Sequence, residues 1–180
     1  MGALEMLQKH TYEEYKKWDG RWELIDGVAY AMSPAPVIKH QRVVFAVARE
    51  LDENLECEEC EVYIAPVDWV IDEHNVVQPD VMVSCEELEE DAKFLRKAPT
   101  IIVEVLSLAT ALKDLTTKFH LYESAGVLYY VIINPSTKEL EIFKLENGKY
   151  TMVQELQGKG EFRFEWEDCA ATIDFAKVFE

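Results

Sequence analysis

The sequence predicts a single α/β domain in which a mixed central sheet carries helices on its faces. The segments TIIVEVL (100–106) and LYYVII (128–133) are rich in β-branched and aromatic residues, as is typical of strands covered on both faces. A helix predicted over 109–125 and ended by Gly126 lies between them, so the two strands should be parallel. The length of 180 residues and the absence of repeats or linkers predict one domain over 1–180.

Local signals predict the other elements. Thr11 and Glu14 have the spacing of a capping box, which predicts a short helix over 12–18. Asp26-Gly27 predicts the turn of a hairpin over 22–31. The remaining expectations are a helix over 40–54, a strand over 62–71, a turn over 72–75, a strand at 81–83, a solvated acidic segment over 86–92, a hairpin around Asn147-Gly148, and a tail with one strand and a helical turn.

The charge is unevenly distributed. The formal net charge is −17, and residues 51–92 contain fifteen acidic residues and no lysine or arginine, whereas the other residues contain twenty acids and eighteen bases. A nucleic-acid ligand is therefore compatible with the sequence, but without a broad basic surface. No apolar run approaches the roughly 18 residues that span a membrane, and the first twenty residues lack the apolar core of a signal peptide. We expect a cytoplasmic protein that does not bind membranes.

Cysteines occur at four positions: Cys57, Cys60, Cys85 and Cys169. Cys57 and Cys60 have the spacing of a metal or redox pair, but no second closely spaced pair accompanies them. We expect ordinary reduced thiols. A zinc site built from these two cysteines and scattered histidines is the alternative.

Glu104 is the residue that first suggests chemistry. A carboxylate in the middle of a buried strand is costly unless it has a partner, and the alternating residues Ile102 and Leu106 make its face otherwise apolar. Asp80 follows Pro79 at the start of a predicted strand, although Pro-Asp is also ordinary turn chemistry. Two such carboxylates on neighbouring strands would suit Mg²⁺ or Mn²⁺. The opposing interpretation is an edge strand with Glu104 in solvent.

An ordered series of motifs over about residues 11–150 resembles the PD-(D/E)XK nuclease superfamily and, within it, the Uma2 restriction endonuclease family. The matching stretches are WELIDGV (22–28), MSP (32–34), HQ (40–41), APVD (65–68), VQPD (77–80), VEVLS (103–107), Thr110 through Asp114 to Lys118, LYESAG (121–126) and YVIINP (130–135). Each stretch is short, and the ordered set is specific. The resemblance implies a restriction-endonuclease-like fold of the α+β kind.

The resemblance also implies site residues. Asp80, Glu104 and the backbone carbonyl of Val105 would hold the metal, with Glu23 and His40 lining the site. Leu106 stands where the superfamily has its lysine, so the basic group would come from the following helix, from Lys118 or from its competitor Lys113. A surface ion pair between Asp114 and Lys118 is the alternative role for that lysine. Leu108 replaces a proline that is usual in the family.

The function implied is Mg²⁺-dependent hydrolysis of DNA phosphodiester bonds. Two alternatives remain, namely a catalytically inactive nuclease-fold binding or regulatory module, and a metal-dependent enzyme acting on another substrate. We expect a homodimer that uses apolar surface near Tyr129-Tyr130 or the C-terminal hairpin. We expect Trp18, Trp22 and Trp69 in a core or an interface rather than as stacking platforms for bases.

Overall fold

The computed structural model of the protein describes residues 8–32, 35–107, 111 and 113–180, without the side chains of residues 113 and 114. Thirteen strands, four α-helices and one π-helical turn occur in these ranges. In chain order they are α1 (Tyr12–Tyr15), β1 (Trp22–Ile25), β2 (Val28–Ala31), α2 (Ile38–Glu53), β3 (Glu61–Ile64), β4 (Asp68–Asp72), β5 (Asn75–Val77), β6 (Val81–Ser84), β7 (Phe94–Leu95), β8 (Ile101–Val105), the π-helical turn (Lys113–Lys118), α3 (Phe119–Ala125), β9 (Tyr129–Ile133), β10 (Glu139–Glu146), β11 (Lys149–Gln157), β12 (Glu161–Trp166), β13 (Cys169–Asp174) and α4 (Phe175–Val178).

A six-stranded mixed sheet forms the centre of the molecule, in the order β11-β10-β9-β8-β6-β3. The β8 and β9 strands pair in parallel, and the other neighbours are antiparallel. All five residues of each of these two strands are buried, which confirms the prediction made from their apolar sequences. The interpretation of Glu104 as a solvent-facing residue on an edge strand is therefore wrong.

A second sheet has the order β2-β1-β5-β4-β7. The single strand predicted over 62–71 is wrong, because its two halves, β3 and β4, lie in different sheets. The break falls at Ala65-Pro66, where proline has no N–H to donate to a ladder. The β1–β2 hairpin turns through Asp26 and Gly27, both at positive φ, as their sequence predicted.

Alternate residues of β8 pack into two separate cores. Ile101, Val103 and Val105 join the core that contains the buried face of α2 and the β12–β13 hairpin. Ile102 joins the core on the opposite face, which contains Tyr122 of α3. Glu104 shares the face of Ile102, because side chains two apart on a strand point the same way.

The predicted capping box is present, since Thr11 accepts a bond from the Glu14 N–H and the Glu14 side chain accepts one from the Thr11 N–H. The α1 helix is nevertheless shorter than the predicted 12–18. The helix predicted over 109–125 is a π-helical turn followed by α3, and Ala109, its predicted first residue, lies outside the described residues. Gly126 ends α3 in the left-handed conformation, as predicted. Among the described residues no helix is long and apolar enough to cross a membrane.

The region after β9 has more strand than predicted. The tail forms two paired strands, β12 and β13, before α4, whereas one strand was expected. The expected apolar surface at Tyr129-Tyr130 is also wrong, because these side chains are 3% and 0% exposed and belong to the two cores. Exposed apolar side chains on the β10–β11 hairpin are instead Met152 and Val153.

The cysteines form two disulfides, Cys57–Cys169 and Cys60–Cys85, so the expectation of free thiols is wrong. The bonds join residues 112 and 25 positions apart, and both juxtapositions depend on tertiary structure. The β3–β6 register brings Cys60 opposite Cys85, and the β12–β13 hairpin brings Cys169 to Cys57. No histidine takes part in the pairing.

The α3 helix is attached to the β10–β11 hairpin by Glu123. Its carboxylate accepts a hydrogen bond from the Tyr150 N–H at 2.8 Å and pairs with Lys149 at 3.3 Å. The Tyr150 amide, with the smaller contribution of Lys149, holds the pKa of Glu123 below its usual value although burial raises it. The ionised carboxylate therefore stabilises the docked helix at neutral pH.

We predict that Glu123→Gln lowers the melting temperature near pH 7 but not near pH 3. The contribution of a group whose folded pKa is lowered is present above the unfolded pKa of about 4.3 and is lost as the pH falls through the folded value. Thermal melts followed by circular dichroism at both pH values would measure this difference. Glu155→Gln, at an exposed position on β11, is the matched control, and an equal effect of both substitutions at both pH values would contradict the prediction.

Candidate functional site

The two candidate metal ligands lie on one face of adjacent strands. The last paired residues of β6 and β8 at this end are Val81 and Val103, so Asp80 and Glu104 are the next opposed positions. Directly opposed residues of an antiparallel pair project from the same face. The Glu104 residue is 3% exposed, whereas the Asp80 side chain is 17% exposed and lies nearer to solvent.

Asp80 is held by the end of β8 and by α2. Its Oδ2 accepts a hydrogen bond from the Val105 N–H at 2.8 Å and lies 3.4 Å from Nε2 of His40. In the part of the chain that the structure describes, its Oδ1 has no hydrogen-bond partner. One oxygen of Asp80 thus fixes the carboxylate, and the other is available to a ligand.

His40 reaches Asp80 from the buried stripe of α2. It stands one turn before Val43 and Val44 and is 7% exposed. Burial alone lowers the pKa of His40, but Asp80, with help from Gln41 and the Val105 backbone, raises it above its ordinary value overall. These contacts favour the imidazolium form beside the Asp80 carboxylate.

Glu104 shares a buried lysine with Glu23. Lys118 Nζ lies 2.7 Å from Glu104 Oε1 and 2.8 Å from Glu23 Oε1, and the three residues are at most 3% exposed. The structure therefore joins β8, β1 and the start of α3 through one cation. Isolated charges at such depth would be strongly unfavourable, so each of these groups depends on the others.

Tyr122 is a site residue that we did not predict. Its hydroxyl donates to Glu104 Oε1 at 2.7 Å, the same oxygen that Lys118 contacts. Burial raises the pKa of Tyr122 well above its ordinary value, and the charges of Glu104 and Glu23 raise it further, so the hydroxyl stays protonated as a donor. The four-residue spacing from Lys118 to Tyr122 on one helix face was a signal that could have identified it.

Gln78 connects the site to a neighbouring groove. Its backbone N–H donates to Glu23 Oε1 at 3.0 Å, and its side-chain amide donates to Asp68 at 2.8 Å. Asp68 also accepts a bond from the Tyr15 hydroxyl at 2.8 Å. The groove beside these residues is lined by Tyr12, Tyr15, Lys16, Trp18, Gly20, Trp22, Asp68, Gln78, Lys93 and Phe94.

The predicted residues come together in two connected groups. One group is Asp80 with His40 and the Val105 amide, and the other is Glu104 with Lys118 and Glu23. The alternative in which Lys118 belongs to an ion pair on the surface is wrong, because Lys118 is 2% exposed. The side chains of Lys113 and Asp114 lie outside the described part of the chain, as does Leu108.

The donor set is compatible with a hard divalent cation. Among the described residues no three carboxylate or imidazole groups place ligand atoms within 4.8 Å of one another. Mg²⁺ is nevertheless usually held by one or two carboxylates together with water and substrate oxygens. Asp80 is partly exposed and lies on the same face as Glu104, and its Oδ1 has no partner among the described residues, which fits that mode of binding.

We predict that Lys118→Met lowers the free energy of unfolding by about 3–5 kcal/mol, because two buried carboxylates lose their shared cation. Adding Glu23→Gln should restore part of the loss, since the amide oxygen can still accept the Gln78 N–H while one negative charge is removed. Urea denaturation of the single and double variants measures both effects.

Lys16→Met is the control for that substitution, because Lys16 forms an exposed pair with Glu13 and its loss should change stability little. Equal stability of the Lys118→Met and Lys16→Met variants would contradict the buried ion-pair network.

Comparisons with known proteins agree with this fold. The chain is 26% identical over 152 residues to the uncharacterized protein slr1290 of Synechocystis sp., a match that covers 81% of this chain and 80% of that protein. The crystal structure of a "putative nuclease belonging to DUF820" from Anabaena variabilis superposes with a TM-score of 0.73 at 15% identity, covering 94% of this chain and 97% of the other. The Uma2 family model, described as "Putative restriction endonuclease", matches residues 11–165. The chain therefore belongs to the Uma2 family and has a nuclease fold.

Proposed function

We propose that this chain is a metal-dependent endonuclease that hydrolyses phosphodiester bonds in DNA. The observation that carries the proposal is the placement of Asp80 and Glu104 at opposed positions on adjacent strands, with Lys118 in contact with Glu104. Membership of the Uma2 family, whose model is described as "Putative restriction endonuclease", also supports the proposal. Nothing in the proposal requires a broad basic surface, because the metal would neutralise charge on the phosphate.

Asp80, Glu104 and the carbonyl of Val105 would hold Mg²⁺ or Mn²⁺. The bound ion would lower the pKa of a water ligand and stabilise negative charge developing on the phosphate. His40 would keep Asp80 in position through its contact with Oδ2, leaving Oδ1 for the metal. Glu23 would position Lys118, and Tyr122 would help to fix the orientation of the Glu104 carboxylate.

Lys118 is the proposed catalytic cation. Its ammonium group lies 2.7 Å from Glu104, so it would stand beside the reacting phosphate when a substrate reaches that carboxylate. From there it would donate a hydrogen bond to the attacking water or to a phosphate oxygen. Leu106 cannot supply this cation, because its side chain is apolar and packs with the core around Tyr122, so an active site would take the cation from another element.

The surroundings of the two carboxylates supply features that suit a nucleic acid. The α2 helix begins beside the site, and Lys39 and Arg42 flank His40 in exposed positions. The free N–H groups at the start of a helix favour an approaching phosphate, and these two cations would add to that attraction. The groove next to Gln78 is lined by aromatic rings, among them Trp18 and Trp22, and by two lysines. Trp69 is 1% exposed and lies in the core, as expected.

We predict that the purified protein cleaves plasmid DNA in Mg²⁺ or Mn²⁺ and that Asp80→Asn and Glu104→Gln each reduce the rate by about 100-fold or more. Calorimetric titration should show Mn²⁺ binding to the unaltered protein and weaker binding to both variants. Circular dichroism of each variant would establish that it is folded.

Asp91→Asn and Glu155→Gln are the matched controls, since both carboxylates are exposed and lie outside the site. They should retain cleavage and Mn²⁺ affinity. Equal cleavage by the site variants and the unaltered protein would contradict the proposal and would identify a contaminating nuclease or a different site.

A non-catalytic binding or regulatory module is the second candidate. The acidic segment over 51–92, and the absence of a lysine at Leu106, favour it. Such a protein would remain folded without cleaving DNA and would not need to bind Mn²⁺, so the cleavage assay and the Mn²⁺ titration together separate the two candidates.

A further inference from the structure

The four cysteines of the chain converge at one place in the fold. The Sγ atoms of Cys57, Cys60 and Cys169 all lie within 4.8 Å of one another, and Cys85 is bonded to Cys60. Cys57 and Cys60 lie in the connection between α2 and β3, Cys85 directly follows β6, and Cys169 begins β13. Three separate segments therefore supply four sulfur atoms to one small region at the edge of the central sheet.

Contacts that do not involve sulfur hold these segments together. The β3–β6 pairing sets Cys60 opposite Cys85 whether or not the disulfide is present. The Glu56 N–H donates to the Ala170 carbonyl at 2.9 Å, which fastens the residue before Cys57 to the residue after Cys169. The Glu56 side chain also forms a two-pronged ion pair with Arg163 of β12. Reduction of the disulfides would therefore leave the four thiols close to one another.

This arrangement has the composition of a structural zinc site. Zinc in such sites is tetrahedral, with Zn–S distances of about 2.3 Å, so the four sulfurs of a Cys₄ site stand about 3.8 Å apart. The Sγ atoms of Cys57, Cys60 and Cys169 lie within 4.8 Å of one another, which side-chain rotation can adjust to the sulfur–sulfur distance of a zinc site. Cys57 and Cys60 have the spacing of one zinc-ligand pair, and the fold brings Cys85 and Cys169 to it in place of a second closely spaced pair.

We propose that, when both disulfides are reduced, Cys57, Cys60, Cys85 and Cys169 bind one Zn²⁺ ion as a Cys₄ site. Each disulfide takes two electrons and two protons from a dithiol reductant, which is itself converted to a disulfide. The four resulting thiols then release four protons as their sulfurs bind the metal. Cys85 is exposed, so a reductant can reach the Cys60–Cys85 bond from solvent.

The zinc site is separate from the carboxylate site in chemistry and in place. Its ligands are thiolates, which favour Zn²⁺, whereas the Asp80 and Glu104 oxygens favour Mg²⁺ or Mn²⁺. It lies beyond Ser84, at the opposite end of β6 from Asp80. Its role would be structural, since it would tie the β12–β13 hairpin to the central sheet.

The test uses the full-length chain, reduced anaerobically with a phosphine, which competes less for zinc than a dithiol does. After incubation with Zn²⁺ and gel filtration against a weak chelator, elemental analysis should find about one zinc per chain. Cys85→Ser and Cys169→Ser should lose most of this zinc, and Asp80→Asn should retain it. Replacement of Zn²⁺ by Co²⁺ should give the thiolate-to-metal absorption of tetrahedral cobalt, and Cys85→Ser should lose most of this absorption, as it loses most of the zinc.

Two results would overturn the proposal. One is a reduced protein with four titratable thiols that holds no zinc, and the other is unchanged zinc affinity in the Cys85→Ser and Cys169→Ser variants. If reduction unfolds the metal-free protein, recovery of the native circular dichroism spectrum on adding Zn²⁺ supports the site. Failure of zinc to restore that spectrum counts against it.

Discussion

The contact of Lys118 with Glu23 and Glu104 is the interaction on which the rest of the site depends. Its three charges come from β1, β8 and the residue that precedes α3, and all are almost fully buried. Because a buried charge without a partner is so unfavourable, the two sheets and the helix can pack in this way only while the three groups remain together. The same contact orients the Glu104 carboxylate, so the stability of the fold and the geometry of the candidate site have one origin.

Much of the central sheet could be predicted from the sequence because its signals are local. The β8 and β9 strands are nearly continuous apolar runs. Outside the central sheet, the turn at Asp26-Gly27 and the helix end at Gly126 were also predictable, because these residues occupy positions with positive φ. The division of 62–71 between two sheets was missed because β3 and β4 both have strand composition, although Pro66 between them was a local signal of the break. The β12–β13 hairpin was missed in part because neither of its strands is a continuous apolar run.

The candidate site also contains residues that could be identified from the sequence and contacts that could not. Glu104 was recognisable because a carboxylate interrupts an apolar strand, and the resemblance to a family supplied Asp80, His40, Glu23 and Lys118. No local pattern shows that one lysine contacts two glutamates from other elements, since this depends on packing between the sheets. The cysteine pairs were missed for a similar reason, because their members are brought together by strand register and by the final hairpin.

The hydrogen bond from the Val105 N–H to the Asp80 carboxylate links the position of that carboxylate to the point where β6 ends. Backbone pairing of β6 with β8 stops at Val81 and Val103. The Asp80 side chain accepts the Val105 N–H, which a backbone carbonyl would have accepted if β6 were longer. A carboxylate thus replaces one rung of the ladder. If β6 were longer, a backbone carbonyl would accept this N–H and the Asp80 carboxylate would lose the contact that holds it, so the geometry of the candidate site depends on a strand that ends early.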